Sequence, residues 1–144
     1  MIRPAEMKDA PALATLCLQL GYIVDRDLAE VRLDRMLSNK AHGIFVNEEA
    51  DHLISGWAHV YGKYLIELEY AEIGGIVVDQ TVRRSGVGQK LMMACEEWAR
   101  ANAFTEMRLR SGAQRNEAHI FYHHLGYEHT RDQKVFRKKF EEVD

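Results

Sequence analysis

The sequence contains few cysteines and has no large excess of one charge sign, and each of these features excludes a class of protein. Only two of its 144 residues are cysteine, Cys17 and Cys95, so neither a disulfide framework nor a cysteine-rich zinc site is indicated. Lys and Arg number 19 against 22 Asp and Glu, whereas a general nucleic-acid binder is usually strongly basic. Any anion site must therefore be local, and we expect no nucleic-acid partner.

Long apolar runs are also absent. No stretch approaches the roughly 20 apolar residues that a membrane span needs. The first residues, "MIRPAEMKDAPALATL", carry charges throughout and contain no hydrophobic signal segment. We therefore expect a cytoplasmic protein with reduced cysteines and no membrane partner.

The chain is nevertheless rich enough in apolar residues to fold around a core. Hydrophobic residues make up 47% of the 144 positions, which is ordinary for a globular protein. A chain of this length predicts one domain that covers residues 1–144.

Periodicity predicts an α/β protein. Helices are expected after Asp9, with Pro11 in the first turn, then over residues 26–38, from about Gly86 to Asn102, and in "EAHIFYHHLG". Strands are expected at "IRPA", "GIFVNE", "HLISGWAHVYG", "YLIELEY" running into "IGGIVV", residues 104–110, and once or twice in "YEHTRDQKVFRKKF". This order predicts a mixed, mostly antiparallel sheet with helices on both faces.

One connection between a strand and a helix is unusually basic and rich in glycine. The stretch "VVDQTVRRSGVGQKLM" has the spacing R-x-x-G-x-G from Arg83 to Gly88. Glycines let the backbone approach a ligand closely, and unpaired N–H groups at a helix start bind anions. A Walker loop is absent, and Leu91 stands where a Rossmann turn needs its third glycine. The spacing therefore indicates a phosphate site, although a basic turn that only starts a helix remains the alternative.

Two motifs in the right order resemble the GNAT superfamily of acyl-CoA-dependent N-acetyltransferases. "IVVDQTVRRSGVGQKLM" resembles its motif A, in which Q/R-x-x-G-x-G/A follows the fourth strand. "NEAHIFYHHLGYEHT" resembles its motif B, in which an Asn precedes a helix with a Phe-Tyr pair and a Leu-Gly-aromatic end. Specific motifs cover residues 72–129, while the order of elements agrees over most of the chain.

The resemblance implies that acetyl-CoA is the cosubstrate, and the residues themselves give no reason to expect a metal. The main chain of the fourth strand would pair with the pantetheine arm, and the turn would hold the pyrophosphate by its N–H groups. Arg83 fills the first motif position, Gln89 flanks the phosphates, and Asn116 would contact the CoA arm. The implied cosubstrate-binding residues are therefore Ile76, Val77, Val78, Arg83, Arg84, Ser85, Gly86, Val87, Gly88, Gln89 and Asn116.

The resemblance also implies catalytic roles. Tyr122 matches the position that protonates the leaving thiolate, a transfer that the ordinary pKa values of phenol and thiol permit. Glu72 is the best candidate base for the amine, acting directly or through a water. Glu67 and Glu69 share a strand face, and strict alternation puts Glu72 on the other face unless the strand bulges. Val78 N–H would polarise the thioester carbonyl.

The resemblance further implies where the sheet opens. The fourth and fifth strands should separate near residues 76–78 and 108–111 to admit the CoA arm. Gly74 and Gly75 are a credible place for the accompanying bulge, because glycine inside a strand often marks one.

Several alternatives stay open. The acceptor is expected to be a small cationic amine, and protein N-termini or lysines remain possible acceptors. The resemblance implies that the acceptor pocket is built from residues 20–40 and 62–72, where no specific motif occurs. A non-catalytic acyl-CoA sensor is the alternative function, and an anion-dependent binding domain is a third. His119 and His123 have a spacing that can bind zinc, but no third ligand is evident. A homodimer is the expected assembly.

Overall fold

The computed structural model describes residues 1–141. The chain contains one compact unit, Met1–Arg110, and a second that begins at Ser111. The first unit contains a five-stranded sheet in the order β1-β2-β3-β4-β5. Its strands are β1 (Ile2–Pro4), β2 (His42–Glu48), β3 (Ile54–Tyr64), β4 (Glu69–Val78) and β5 (Met107–Arg108). The first four are antiparallel to their neighbours, and β5 runs parallel to β4.

The helices are α1 (Ala10–Cys17), α2 (Arg26–Leu37) and α3 (Val87–Ala101) in the first unit, and α4 (Asn116–His124) in the second. Pro11 lies in the first turn of α1, where its missing N–H costs nothing. The Asp25 side chain accepts a hydrogen bond from Leu28 N at 2.8 Å and so starts α2. The predicted helices therefore begin within a residue or two of their predicted positions.

Helices cover both faces of the sheet within the first unit, as predicted. On one face, Ile44 and Val46 of β2 pack in a core cluster with Leu13 of α1 and Leu33 of α2. On the other face α3 approaches so closely that a Cβ added at Gly43 would lie 2.7 Å from the Trp98 ring. Strand alternation sends successive side chains to these two cores.

The fourth strand bulges at the predicted glycines and then loses its outer neighbour. His59 of β3 pairs with Gly75 and Val60 pairs with Ile73, which leaves Gly74 as the extra residue. On the other side, β5 pairs only with Ala71 and Glu72. In the described part of the chain, no strand pairs with that edge of β4 beyond Glu72. The predicted opening of the sheet is therefore confirmed.

Three predicted strands differ from the structure. "YLIELEY" is interrupted by a turn in which Leu65 N donates to Leu68 O at 3.0 Å, because the chain must reverse between β3 and β4. The strand predicted over residues 104–110 is only Met107–Arg108. Residues 127–141 form no strand, and Val135, Phe136 and Phe140 are exposed there. These residues carry β-forming side chains, but none of them is paired in a strand ladder. Across the described residues, no helix combines the length and apolar character needed to cross a membrane.

Candidate active site

The connection from β4 to α3 presents a main-chain surface suited to an anion. Asp79 accepts from Thr81 N at 3.0 Å and shapes the short helical turn Gln80–Val82. Arg84 and Gly86 then adopt left-handed φ values of 70° and 86°, and α3 begins at Val87. No side chain of the described residues caps this helix start. Its first N–H groups are therefore free to bind an acceptor such as a phosphate oxygen.

The side chains at this turn contribute less than its main chain. Arg83 Nε donates to Val78 O at 3.2 Å, so its guanidinium folds back toward the end of β4. Ser85 Oγ donates to Val82 O within the turn. The structure thus brings together, at one end of β4, the predicted residues of the first unit, which are Ile76, Val77, Val78, Arg83, Arg84, Ser85, Gly86, Val87, Gly88 and Gln89.

Asn116 and Tyr122 belong to the second unit. Asn116 is the first residue of α4, and Tyr122 is its only buried residue. The Tyr122 ring packs edge-on against Phe121 and Tyr127, with centroid distances of 5.4 and 6.3 Å. Burial raises the pKa of the Tyr122 phenol, and the charge of Arg115 opposes this shift only partly. The phenol therefore keeps its proton at neutral pH and is chemically suited to donate it.

The histidines of α4 show no sign of a metal site. His119 Nε2 lies 2.9 Å from Gly112 O. Among residues 1–141, no group of three or more His, Cys, Asp or Glu side chains is arranged to hold a metal ion.

Glu72 is buried and fully engaged. Its side chain is 6% exposed and accepts a hydrogen bond from Tyr61 Oη. Lys63 Nζ lies 3.5 Å from one carboxylate oxygen, and Arg110 Nε lies 3.4 Å from the other. Burial, followed by the bond to Glu72, raises the pKa of Tyr61 to about 12. The Glu72 carboxylate is therefore held in place by one hydrogen bond and two cations.

The three acidic residues do not form one patch. Glu69 starts β4 and is exposed, Glu67 lies in the preceding turn, and Glu72 points to the opposite sheet face from Glu69. Strict alternation predicts this separation, and the bulge at Gly74 comes too late along the strand to change it.

A pair of histidines stacks on Tyr61, the residue that is bonded to Glu72, and no sequence pattern selects this pair. His42 Nδ1 of β2 lies 2.8 Å from His59 Nε2 of β3. Both rings stack with Tyr61, with centroid distances of 5.7 and 5.4 Å. Burial, and then the neighbouring His42, lowers the pKa of His59 to about 4. We call His42, His59, Tyr61 and Glu72 the ring cluster.

The two glycines of the bulge make room for the rings above β4. A Cβ added at Gly74 would collide with His59 Nδ1 and lie 3.0 Å from its Cε1. A Cβ added at Gly75 would lie 3.0 Å from Cη2 of Trp57, whose buried indole N–H has no hydrogen-bond partner among the described residues. A glycine pair inside an apolar strand was the available sign that something lies close to the backbone here.

The chain matches known proteins along most of its length. Residues 12–127 match the profile of the acetyltransferase (GNAT) family. An aminoglycoside N(6')-acetyltransferase type 1 from Stenotrophomonas maltophilia is 30% identical over 145 aligned positions, which cover 97% of this chain and 94% of that protein. The uncharacterized N-acetyltransferase YjgM of Escherichia coli is 27% identical over 90% of this chain and 82% of its own.

Solved structures share the fold. The aminoglycoside antibiotic 6'-N-acetyltransferase AAC(6')-IG from Acinetobacter haemolyticus superposes with a TM-score of 0.82 at 21% identity, covering 98% of this chain and 99% of that one. AAC(6')-Iy, solved with a bisubstrate analogue of CoA and acetylneamine, gives a TM-score of 0.85 at 21% identity, covering 96% and 97%. The family profile spans most of the chain and includes the phosphate-type turn described above. The chain is therefore a member of the GNAT family and an acetyl-CoA-dependent N-acetyltransferase.

Proposed function

We propose that this enzyme transfers the acetyl group of acetyl-CoA to a primary amine of a small cationic molecule by direct attack in a ternary complex. The observation that carries the proposal is the end of β4, where an open strand edge runs into a turn with uncapped N–H groups. An extended pantetheine arm can add to such an edge, and the attached pyrophosphate can bind at the helix start.

Each predicted binding residue has a role in this proposal. The main chain of Ile76, Val77 and Val78 aligns the arm, and Val78 N–H polarises the thioester carbonyl. The N–H groups of residues 84–88 bind the pyrophosphate, with Arg83 and Gln89 at its sides, and Asn116 contacts the CoA arm. Because the family profile runs across both units, we propose that residues 1–144 act as one N-acetyltransferase domain.

Tyr122 is the proposed general acid. Its raised pKa keeps the phenol protonated until sulfur leaves as a thiolate, which then takes the proton. Glu72 stays a prediction as the base, directly or through a water. Its contacts with Tyr61, Lys63 and Arg110 argue against a direct role.

The proposed acceptor is an aminoglycoside-like polyamine. The relative that is 30% identical over nearly the whole chain is an aminoglycoside N(6')-acetyltransferase, which supports this class. Around the predicted acceptor region, Tyr22, Ile23 and Ile66 are exposed apolar side chains, and Glu67 and Glu69 are exposed acids. Exposed apolar side chains can contact the body of a bulky acceptor, and the neighbouring carboxylates attract its positive charges. Peptide N-termini and lysines are the runner-up acceptors.

A turnover assay tests the function. Acetyl-CoA consumption would be measured with neamine, spermidine, a peptide with a free N-terminus and a peptide with an internal lysine. We expect turnover with neamine, confirmed by one added acetyl group in its mass. Turnover with a peptide alone would move the acceptor to the runner-up class. Acetyl-CoA binding without turnover of any amine would instead support a non-catalytic sensor.

The role of Tyr122 is tested by Tyr122→Phe at saturating acetyl-CoA. An acid that acts only as the C–S bond breaks stabilises the transition state alone, so kcat should fall about 100-fold while acetyl-CoA affinity stays the same. Phe fills the same space, so a purely packing role predicts an unchanged kcat. A fall of less than about threefold would reject Tyr122 as the acid.

We propose that the enzyme is a cytoplasmic homodimer. Cys17 and Cys95 are free thiols, as is usual in the reducing cytoplasm. The exposed Val135, Phe136 and Phe140 give the segment 127–141 an apolar surface that a second copy would cover. Sedimentation of the wild type against the triple variant Val135→Ser, Phe136→Ser and Phe140→Ser tests the assembly. A wild type that sediments as a monomer would refute the dimer.

A further inference from the structure

We propose, on the basis of the function above, that His59 is the base that takes the proton from the acceptor ammonium, and that His42 passes that proton to solvent. No sequence motif selects either residue. The geometry of three neighbouring strands assigns the role.

His59 lies beside the place where the acetyl group must be presented. It pairs with Gly75 on β4, one position before the strand residues proposed to align the pantetheine arm. Gly74 is exposed, and no strand of the described chain covers its outer edge. The missing Cβ of Gly74 is what lets His59 Nδ1 lie over the strand at this opening. A Gly-Gly bulge therefore places a nitrogen base at the start of the open edge.

The hydrogen-bonding pattern leaves that nitrogen available. His59 Nε2 is engaged by His42 Nδ1 at 2.8 Å, whereas no hydrogen bond to Nδ1 is found within residues 1–141. If His59 donates from Nε2, its Nδ1 carries the lone pair. His42 is only partly buried and connects the pair to solvent.

The reaction balances with this relay. The acceptor ammonium gives one proton to His59 Nδ1 as the Nε2 proton moves to His42 Nδ1 and His42 Nε2 releases a proton to water. The neutral amine then attacks the carbonyl carbon, a C–N bond forms, and the C–S bond breaks with its electron pair on sulfur. The second nitrogen proton ends on the thiolate through the proposed acid Tyr122. The products are the amide, free CoA thiol and the one proton that the histidines carried away. Both histidines are then protonated on Nδ1, and they return to the starting tautomer by exchanging protons with water before the next turnover.

The low basicity of His59 suits a relay. Burial disfavours a lasting imidazolium, with a pKa of about 4, so His59 is neutral at every working pH. Passing a proton on while receiving another avoids storing the charge. Tyr61 and Glu72, the other members of the ring cluster, are already engaged in contacts of their own. Tyr61 donates to Glu72, and Glu72 also contacts two cations.

The test measures kcat/KM with neamine from about pH 7 to about pH 9.5, across which a primary amine loses its own proton. His59→Phe keeps the ring packing and removes the base, so activity should fall about 100-fold at the low end. The deficit should shrink as pH rises, because a neutral acceptor needs no base. His42→Phe should show the same trend with a loss of about tenfold. A merely structural role predicts a loss that does not depend on pH.

Matched variants distinguish the loss of a base from a loss of folded structure. His59→Gln keeps a polar group that can bond to His42 but cannot act as a base. Gly74→Ala displaces His59, whereas Gly75→Ala presses on Trp57 instead. Only the first of these glycine variants should reproduce the pH-dependent loss. Thermal melting and acetyl-CoA binding would show that each variant is folded.

The outcomes separate this inference from the function on which it rests. If the wild type acetylates neamine or another amine of the panel but His59→Phe and His59→Gln lose activity equally at every pH, or not at all, the base assignment is wrong and the function stands. A pH-dependent loss in Glu72→Gln alone would assign the base to Glu72. If the wild type acetylates no amine, both proposals fall.

Discussion

The turn after β4 and the ring cluster lie in the same unit, yet they are built in opposite ways. The turn is exposed, continuous in sequence, and presents main-chain N–H groups. The ring cluster draws half-buried or buried side chains from β2, β3 and β4, and these side chains contact one another. Groups that bind each other in the folded state contribute to stability, whereas groups held open for a ligand do not. We therefore expect changes in the cluster to alter folding and changes in the turn to alter acetyl-CoA affinity.

The largest expected effect is a fall in the free energy of unfolding when the pH is lowered into the range where His59 of the ring cluster binds a proton on unfolding. The pKa of His59 is about 4 in the fold against 6.5 in the unfolded chain. Between these values only the unfolded chain binds the proton, so stability is complete above about pH 6.5 and is lost as pH falls toward 4. We expect up to about 3 kcal/mol from this group. The facing groups His42 and Tyr61 are retained in both proteins that are compared.

The measurement is the free energy of unfolding in urea at several pH values for the wild type and His59→Phe. The difference between the two curves isolates His59 from the carboxylates that titrate nearby. Parallel curves would show that His59 is not held neutral by burial.

The second-largest expected effect, also on the free energy of unfolding, is that of Glu72→Gln. The amide cannot satisfy Lys63 and Arg110, and breaking a buried ion pair typically costs 3–5 kcal/mol. Both cations are partly exposed and can turn to water, so we expect about 2 kcal/mol of destabilisation. Acetyl-CoA affinity, measured by calorimetry on the folded variant, should stay within about twofold, which is below half a kcal/mol. A large loss of affinity with unchanged stability would reverse the comparison.

In the turn, Gly86→Asp should weaken acetyl-CoA binding at least tenfold, or about 1.4 kcal/mol. The new carboxylate would stand where the pyrophosphate binds. Gly86→Asn is the matched control, because both side chains tolerate the left-handed φ of 86° and only Asp is charged. Equal affinity of the two variants would show that the turn is not the phosphate site.

The smallest effect should come from Arg83→Ala. The Arg83 guanidinium is exposed and bonded to Val78 O, so it is not one of the main-chain N–H groups of the turn. An exposed charge pair is worth about 0.2–1 kcal/mol. We expect a loss of about threefold in acetyl-CoA affinity that fades with added salt. A loss larger than that of Gly86→Asp would mean that side-chain charge, and not the main chain, dominates the site.

The turn could be predicted from sequence because all its parts are neighbours along the chain. Arg83, Gly86 and Gly88 stand at fixed spacing, and a helix start binds anions whatever its tertiary setting. The bulge was also predictable, since Gly74 and Gly75 interrupt an otherwise apolar strand. The separation of Glu72 from Glu69 follows from strand alternation alone.

The ring cluster could not be predicted in this way. His42 and His59 are 17 residues apart and meet only because β2 and β3 pair in a particular register. That register depends on the whole sheet. The closing strands were mispredicted for a related reason. Residues 127–141 contain β-forming side chains, but a strand forms only where a partner edge exists, and a local pattern does not reveal one.

The open edge of β4 has a consequence for handling the protein. An unpaired strand is a template for another chain, and "IGGIVV" carries no charge to discourage such pairing. Bound acetyl-CoA would occupy this edge and shield it from other molecules. Acetyl-CoA would then reduce aggregation as well as donate the acetyl group. Preparations stripped of CoA should be the first to form insoluble, strand-paired material.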